Sequence, residues 1–189
     1  ARIQPFTPGS CMHVSMPPES ELPAEFTVAV MIWPTRPDGG AQAVLSIESN
    51  SSRTSFILGL DVAGRPAVRV RMSDGNWTEC CLPDPVSERR WARLWASFSQ
   101  PSGKLSLGIC QDGIDDSTGT TFTGSTALSD QKTRSIVVAA CNQGERHMHF
   151  NGKIERPTIY SVQLGSEMLL DSAEATTAPS KSSVARSSR

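Results

Sequence analysis

Residues 26–34 read Phe-Thr-Val-Ala-Val-Met-Ile-Trp-Pro. Extended, this run places Phe26, Val28, Val30 and Ile32 on one side and Thr27, Ala29, Met31 and Trp33 on the other. Both sides are largely apolar, so the strand is expected inside a sheet that is covered on both faces. Its β-branched and aromatic residues suit a strand, and Pro34 ends it by removing a ladder donor. Two further runs have the same character, at 91–98 and 136–141. In the first, Ala92, Leu94, Ala96 and Phe98 lie opposite Trp91 and Trp95.

Weaker alternation fills the intervals. Met12, Val14 and Met16 alternate with polar neighbours. Ala43, Leu45 and Ile47 give the next strand an inward face, followed by Phe56, Leu58 and Leu60, then Val68, Val70 and Met72. Residues 77–82, 105–109, 148–150 and 154–162 complete the set. Turn signals stand between them at Arg36-Pro37-Asp38-Gly39-Gly40, Asp61-Val62-Ala63-Gly64, Ser73-Asp74-Gly75-Asn76, Gln100-Pro101-Ser102-Gly103 and Asn151-Gly152. Strands at such spacing predict an all-β protein, an antiparallel sandwich of two sheets. Residues 111–134 turn to Gly, Ser, Thr and Asp and read as a long loop, with at most a short edge strand near 120–123. The one candidate helical turn is 166–170. The expected organisation is an arm or entering strand over 1–10, a sandwich over 11–170, and a Ser/Thr/Ala-rich flexible tail over 171–189.

A length of 189 residues fits one such sandwich. The formal net charge of -1, with no local basic stripe, argues against nucleic acid as a partner. No apolar run approaches the roughly 20 residues of a membrane span, so no membrane partner is expected. A signal-peptide pattern is not visible, and the chain opens on Ala1, as expected of a piece of something longer. The five cysteines are odd in number, and Cys80 and Cys81 are adjacent, on opposite faces of any strand. Reduced cysteines in a cytoplasmic protein are the expectation. The sequons Asn50-Ser51-Ser52 and Asn76-Trp77-Thr78 pull the other way.

Four segments, in order, carry a family resemblance. Residues 26–34, the run Arg89-Arg90-Trp91-Ala92-Arg93-Leu94-Trp95-Ala96-Ser97-Phe98, the hairpin Gln100-Pro101-Ser102-Gly103-Lys104-Leu105-Ser106-Leu107 and the closing Phe150-Asn151-Gly152-Lys153-Ile154-Glu155-Arg156-Pro157 resemble those of concanavalin A-like, laminin G-like jelly rolls. The opening Arg2-Ile3-Gln4-Pro5 with Gly9-Ser10, and Lys153-Ile154-Glu155-Arg156-Pro157, are similar to the accessory region of the N,N-dimethylformamidase large subunit. That resemblance implies a non-catalytic module of an amide hydrolase acting on small formamides. It would serve packing, assembly or substrate access, with other domains or subunits as partners. Iron, held by two Tyr and a Glu, would belong to a catalytic domain elsewhere; Tyr160 is the single tyrosine here. The alternative is a carbohydrate-binding, lectin-like module.

No catalytic residues are assigned. No serine sits in a Gly-x-Ser-x-Gly elbow, and Cys80-Cys81 has no histidine close in sequence. Glycosidases of this fold carry paired glutamates on one strand, and no predicted strand does so here. Trp77, Arg69 and Arg71 are the candidates for sugar or partner binding, because an exposed indole stacks on pyranose rings or anchors an interface. Trp33, Trp91 and Trp95 are expected in the core or at its edge. Asp112, Asp115 and Asp116 offer oxygen ligands for a loop calcium, the one cofactor considered for this chain. His147 and His149 would share a face of one strand, the spacing of two zinc or copper ligands, and without a third ligand they read as surface groups.

Overall fold

The computed structural model describes residues 10–17, 20–49, 54–121, 133–142 and 146–165. Their strands are β1 (Met12–Ser15), β2 (Glu25–Pro34), β3 (Gln42–Ser49), β4 (Thr54–Leu60), β5 (Pro66–Arg71), β6 (Trp77–Cys81), β7 (Ala92–Ser99), β8 (Lys104–Gln111), β9 (Ile114–Thr121), β10 (Thr133–Val138), β11 (Cys141–Asn142), β12 (Arg146–His147) and β13 (Gly152–Tyr160). They form a six-stranded sheet, order β1-β10-β3-β4-β5-β6, and a five-stranded sheet, order β13-β2-β7-β8-β9. All pairings within both sheets are antiparallel. The expected jelly-roll sandwich is the fold observed.

The alternation dictates the core. One row crosses the six-stranded sheet as Val14, Ile136, Ile47, Phe56, Val70 and Thr78. On the facing sheet, Phe26 stands beside Phe98 and Leu105. Three phenylalanines join the layers: the Phe26 ring meets Phe56 edge-on at 5.4 Å and Phe98 at 5.5 Å. Offset and edge-to-face geometries of this kind add to the burial of the rings. β2 lies between β13 and β7, as its two apolar faces require. Its Thr27 side is covered by the chain beyond β13. The Thr27 hydroxyl donates to the Val162 carbonyl at 2.9 Å and accepts from the Leu164 amide at 2.9 Å.

Four local expectations change. Residues 111–134 are not loop from the start, because β9 pairs with β8 along its whole length, from Gln111 with Ile114 to Lys104 with Thr121. Ala43, expected inward, faces outward: a bulge between Ala43 and Leu45 turns the strand there, so that Val44 and Leu45 both enter the core. The apolar run at 136–141 is broken at Ala139, whose φ of 69° carries the chain out of β10. Residues 148–150 form no strand: His149 bridges to Ala43, and the Phe150 amide donates to the Ala139 carbonyl at 3.0 Å. The candidate helix at 166–170, the sequon at Asn50, the arm over 1–9 and the tail lie outside the described residues.

That exit at Ala139 closes one face of the molecule. β11 pairs with β12 and lies over the outside of β3 and β4. Ala43, Ile57, Cys141 and Met148 form a small apolar cluster there. The Ser46 hydroxyl donates to the Ala140 carbonyl at 3.0 Å, and the Ala43 amide to the Met148 carbonyl at 2.7 Å. Every residue of β3 and β4 is consequently buried.

Candidate functional site

The outer face of the five-stranded sheet is arranged differently. Its central row runs Thr158, Ala29, Trp95, Gly108 and Ser117. The Trp95 indole covers Gly108, where a Cβ would collide with the ring. With Ala29 beneath and Tyr160 and Leu164 against it, Trp95 is buried although it faces away from the core. Trp95, expected in the core or at its edge, is instead buried in a small separate cluster on the outer side of the sheet. Trp33 and Trp91 form an edge-to-face pair at 5.5 Å, with the Lys153 ammonium over the Trp33 ring.

Beside Trp95 the face opens into a cleft of about 570 Å³. Trp95 and Leu164 give it an apolar side; Ser97, Ser106, Ser117 and Gln163 give hydrogen-bonding groups, and Lys104 a cation. A cleft of a few hundred Å³ with convergent polar groups is the usual form of a small-ligand site. The sequence reading missed it, because its residues come from three strands and the segment after β13. One signal pointed toward it: Asp112-Gly113, a strong two-residue hairpin signal, would have identified β9. Both residues have positive φ, 54° and 78°.

The sequence-predicted candidates lie elsewhere. Trp77 and Arg71 are cross-strand partners, and so are Glu79 and Arg69, on β6 and β5 of the six-stranded sheet. The Arg71 guanidinium sits 5.9 Å from the Trp77 ring centroid. Arg69 is committed to Glu79 by contacts of 3.1 and 3.2 Å. Trp77 keeps 39% of its surface exposed. The structure thus brings Trp77 and Arg71 together and engages Arg69 internally.

The aspartates do not form a loop cluster. Asp112 pairs with Arg90 at 2.9 Å in the β8–β9 turn. Asp115 and Asp116 are consecutive residues of β9, opposite Cys110 and Ile109, so they point to opposite faces. Among the described residues no three His, Cys, Asp or Glu side chains converge to hold a metal. The single strand proposed for His147 and His149 is interrupted by Met148, whose φ is 56°. Both ring nitrogens of His149 are buried without a hydrogen-bond partner.

None of the five cysteines is in a disulfide. Burial pushes the Cys80 thiol up. Burial also raises Cys81 and Cys110, helped by Asp61 and by Asp115. Cys141 is pushed up to about 11 by burial and by the charge of Glu48. Thiols shifted in that direction stay protonated at neutral pH and are poor nucleophiles.

A model of a laminin G-type family, described as the concanavalin A-like lectin/glucanases superfamily, matches residues 9–169. The chain belongs to this family. Among solved structures, the laminin G-like domain is similar to the CBM40 of the Ruminococcus gnavus IT-sialidase bound to α2,3-sialyllactose. The TM-score is 0.64 at 17% identity, over 80% of this chain and 83% of that one. It is also similar to the LG4-5 domains of mouse laminin α1, at TM-score 0.60 and 13% identity, over 85% of this chain and 42% of that one. A third relative is the heptameric SAP-like pentraxin of Limulus polyphemus, at TM-score 0.60 and 12% identity, over 89% and 76%. Identities this low establish a shared fold. No curated protein matches the laminin G-like domain. Its likeness to the formamidase subunit rests on the sequence motifs alone.

Proposed function

We propose that this laminin G-like domain is a non-catalytic, lectin-like module that binds carbohydrate in the cleft beside Trp95. The observation that carries the reading is the cleft itself, lined by hydroxyl, amide and ammonium groups with Trp95 and Leu164 at its apolar side. Sugars present hydroxyls around an apolar ring face, and such a lining matches both features. The relative titled as bound to sialyllactose supports the same reading by analogy of fold. The test is a glycan array followed by calorimetry on each hit. Ser117→Trp, on the exposed face of β9, fills the cleft; it should abolish binding and leave the melting temperature unchanged. Failure of every glycan to bind would remove the reading.

A second reading is favoured by a separate observation. β1 is an edge strand whose Met12 and Val14 are 52% and 40% exposed. An apolar edge suits docking against another domain or subunit. This agrees with the accessory role in an N,N-dimethylformamidase-like large subunit that the motifs at 2–10 and 153–157 suggest. Iron and the amide chemistry would then reside in a different part of the parent protein. The parent reading frame decides this: a downstream region rich in paired tyrosines supports it, and a frame that ends with this domain overturns it.

A further inference from the structure

The cleft is not electrically neutral. Lys104 lines it, and among the described residues no carboxylate does. Lys104 begins β8 opposite Thr121, and the next pair facing the same way is Ser106 with Gly119. The Lys104 side chain extends toward that pair. A Cβ added at Gly119 would stand 3.7 Å from Lys104 Cε and 3.4 Å from Ser106 Oγ. The lysine stem thus passes within van der Waals contact of the point where a side chain at Gly119 would begin, and the Ser106 hydroxyl borders the same space.

The neighbouring acids are already engaged. Glu25 accepts a hydrogen bond from Ser99 at 2.6 Å, and Asp115 faces the Cys110 thiol. Lys104 takes part in none of the ion pairs among the described residues. A cation laid into a concave, hydroxyl-lined site without a counter-charge is matched by an anionic ligand group.

We propose that the cleft selects acidic saccharides, with the carboxylate or sulfate ester of the sugar held by Lys104 over Gly119 beside the Ser106 hydroxyl. This rests on the carbohydrate reading above and narrows it to one class. Specificity arises because a neutral sugar leaves the ammonium unpaired when the cleft is filled, whereas an acidic one replaces its water.

The experiment is calorimetry on the full chain with paired probes: 3′-sialyllactose against lactose, and galactose 6-sulfate against galactose. The acidic member of at least one pair should bind about tenfold to a hundredfold tighter, the span of one charge-assisted hydrogen bond. Lys104→Gln should erase that preference, Lys104→Arg should keep much of it, and both should melt with the native chain. Gly119→Val, whose branched side chain would press on the lysine stem, should reduce acidic binding as Lys104→Gln does. Raising the salt concentration should weaken the acidic ligand and spare the neutral one. Equal binding of acidic and neutral members overturns this inference and leaves the carbohydrate site standing. Acidic binding that survives Lys104→Gln unchanged also overturns it. If no probe and no glycan on the array binds, the carbohydrate reading itself fails.

Discussion

The two sheets present opposite outer faces. Outside β3 and β4 the chain has folded back on itself: Cys141 and Met148 cover Ala43 and Ile57, and even Glu48, Ser55 and Ser135 are buried. Outside β7, β8 and β9 the described residues cover only part of the face, with Tyr160 and the residues just beyond it, and leave a cleft. The same alternation of side chains produced both. The difference lies in the path the chain takes on leaving each sheet's last apolar strand. After β10 comes a turn at Ala139 and a small hairpin that crosses the sheet. After β13 comes a short strap, tied at Thr27, whose described part packs on Trp95 through Leu164. Among the described residues, the candidate ligand site is therefore where the chain leaves its own sheet uncovered.

Substitutions on the two faces sharpen this contrast. The largest effect is expected on the closed face. A Cβ at Gly59 collides with the Gln42 carbonyl, a backbone atom that cannot swing aside. Gly59→Ala should cost about 3 kcal/mol or more in urea unfolding. Ile57→Ala, which empties the covered cluster, should cost about 2–4 kcal/mol. If both variants unfold like the native chain, that face is not the packed layer described.

Gly108→Ala is the open-face counterpart. Its Cβ meets the Trp95 indole, a side chain that can move toward the cleft. The cost should be smaller, about 1–2 kcal/mol, with a change in tryptophan fluorescence and loss of ligand binding. A fluorescence spectrum identical to the native one would show that the ring does not sit on Gly108.

pH separates the faces in a different way. Cys141 lies under the closed cover with its pKa raised to about 11 from an ordinary 9. The unfolded chain therefore loses this proton at lower pH than the folded one. The stability that comes from keeping the thiol neutral is complete below about pH 9 and is lost as pH rises toward 11. The loss is on the order of 2 kcal/mol. Cys141→Ala should flatten that part of the stability profile, and an unchanged slope would place the thiol in water. The smallest effect is at the strap. Thr27→Val removes two hydrogen bonds of 2.9 Å and should cost about 1 kcal/mol, with faster amide exchange at Leu164.

Much of this was legible in the chain. Strict period-two alternation at 26–34, 55–60 and 91–98 identified buried strands, because only one register puts Phe26, Phe56 and Phe98 together. The turns at 61–64 and 73–76 were marked by Asp and Gly, and Gly64 and Gly75 do take positive φ. Strand β9 escaped because Ile-Asp-Asp-Ser-Thr-Gly-Thr-Thr is an edge sequence with a solvated outer face, and hydrophobic periodicity is silent there. Trp77 was legible as an exposed aromatic, and its contact with Arg71 comes from the β5–β6 register. The three aspartates looked like a cluster only because closeness along the chain was read as closeness in space.

By itself the sequence determined that this is a two-layer antiparallel sandwich. Burial is decided residue by residue, and alternation records it locally. It also determined what the chain lacks in local motif, such as a nucleophile elbow or a basic stripe. Only the tertiary structure decided which outer face stays open, that Trp95 rests on Gly108, and that Lys104 lies over Gly119 beside Ser106. Those facts depend on which residues of different strands come opposite one another. Register and the path of the covering segments set them, and neither is written in the periodicity of any single strand.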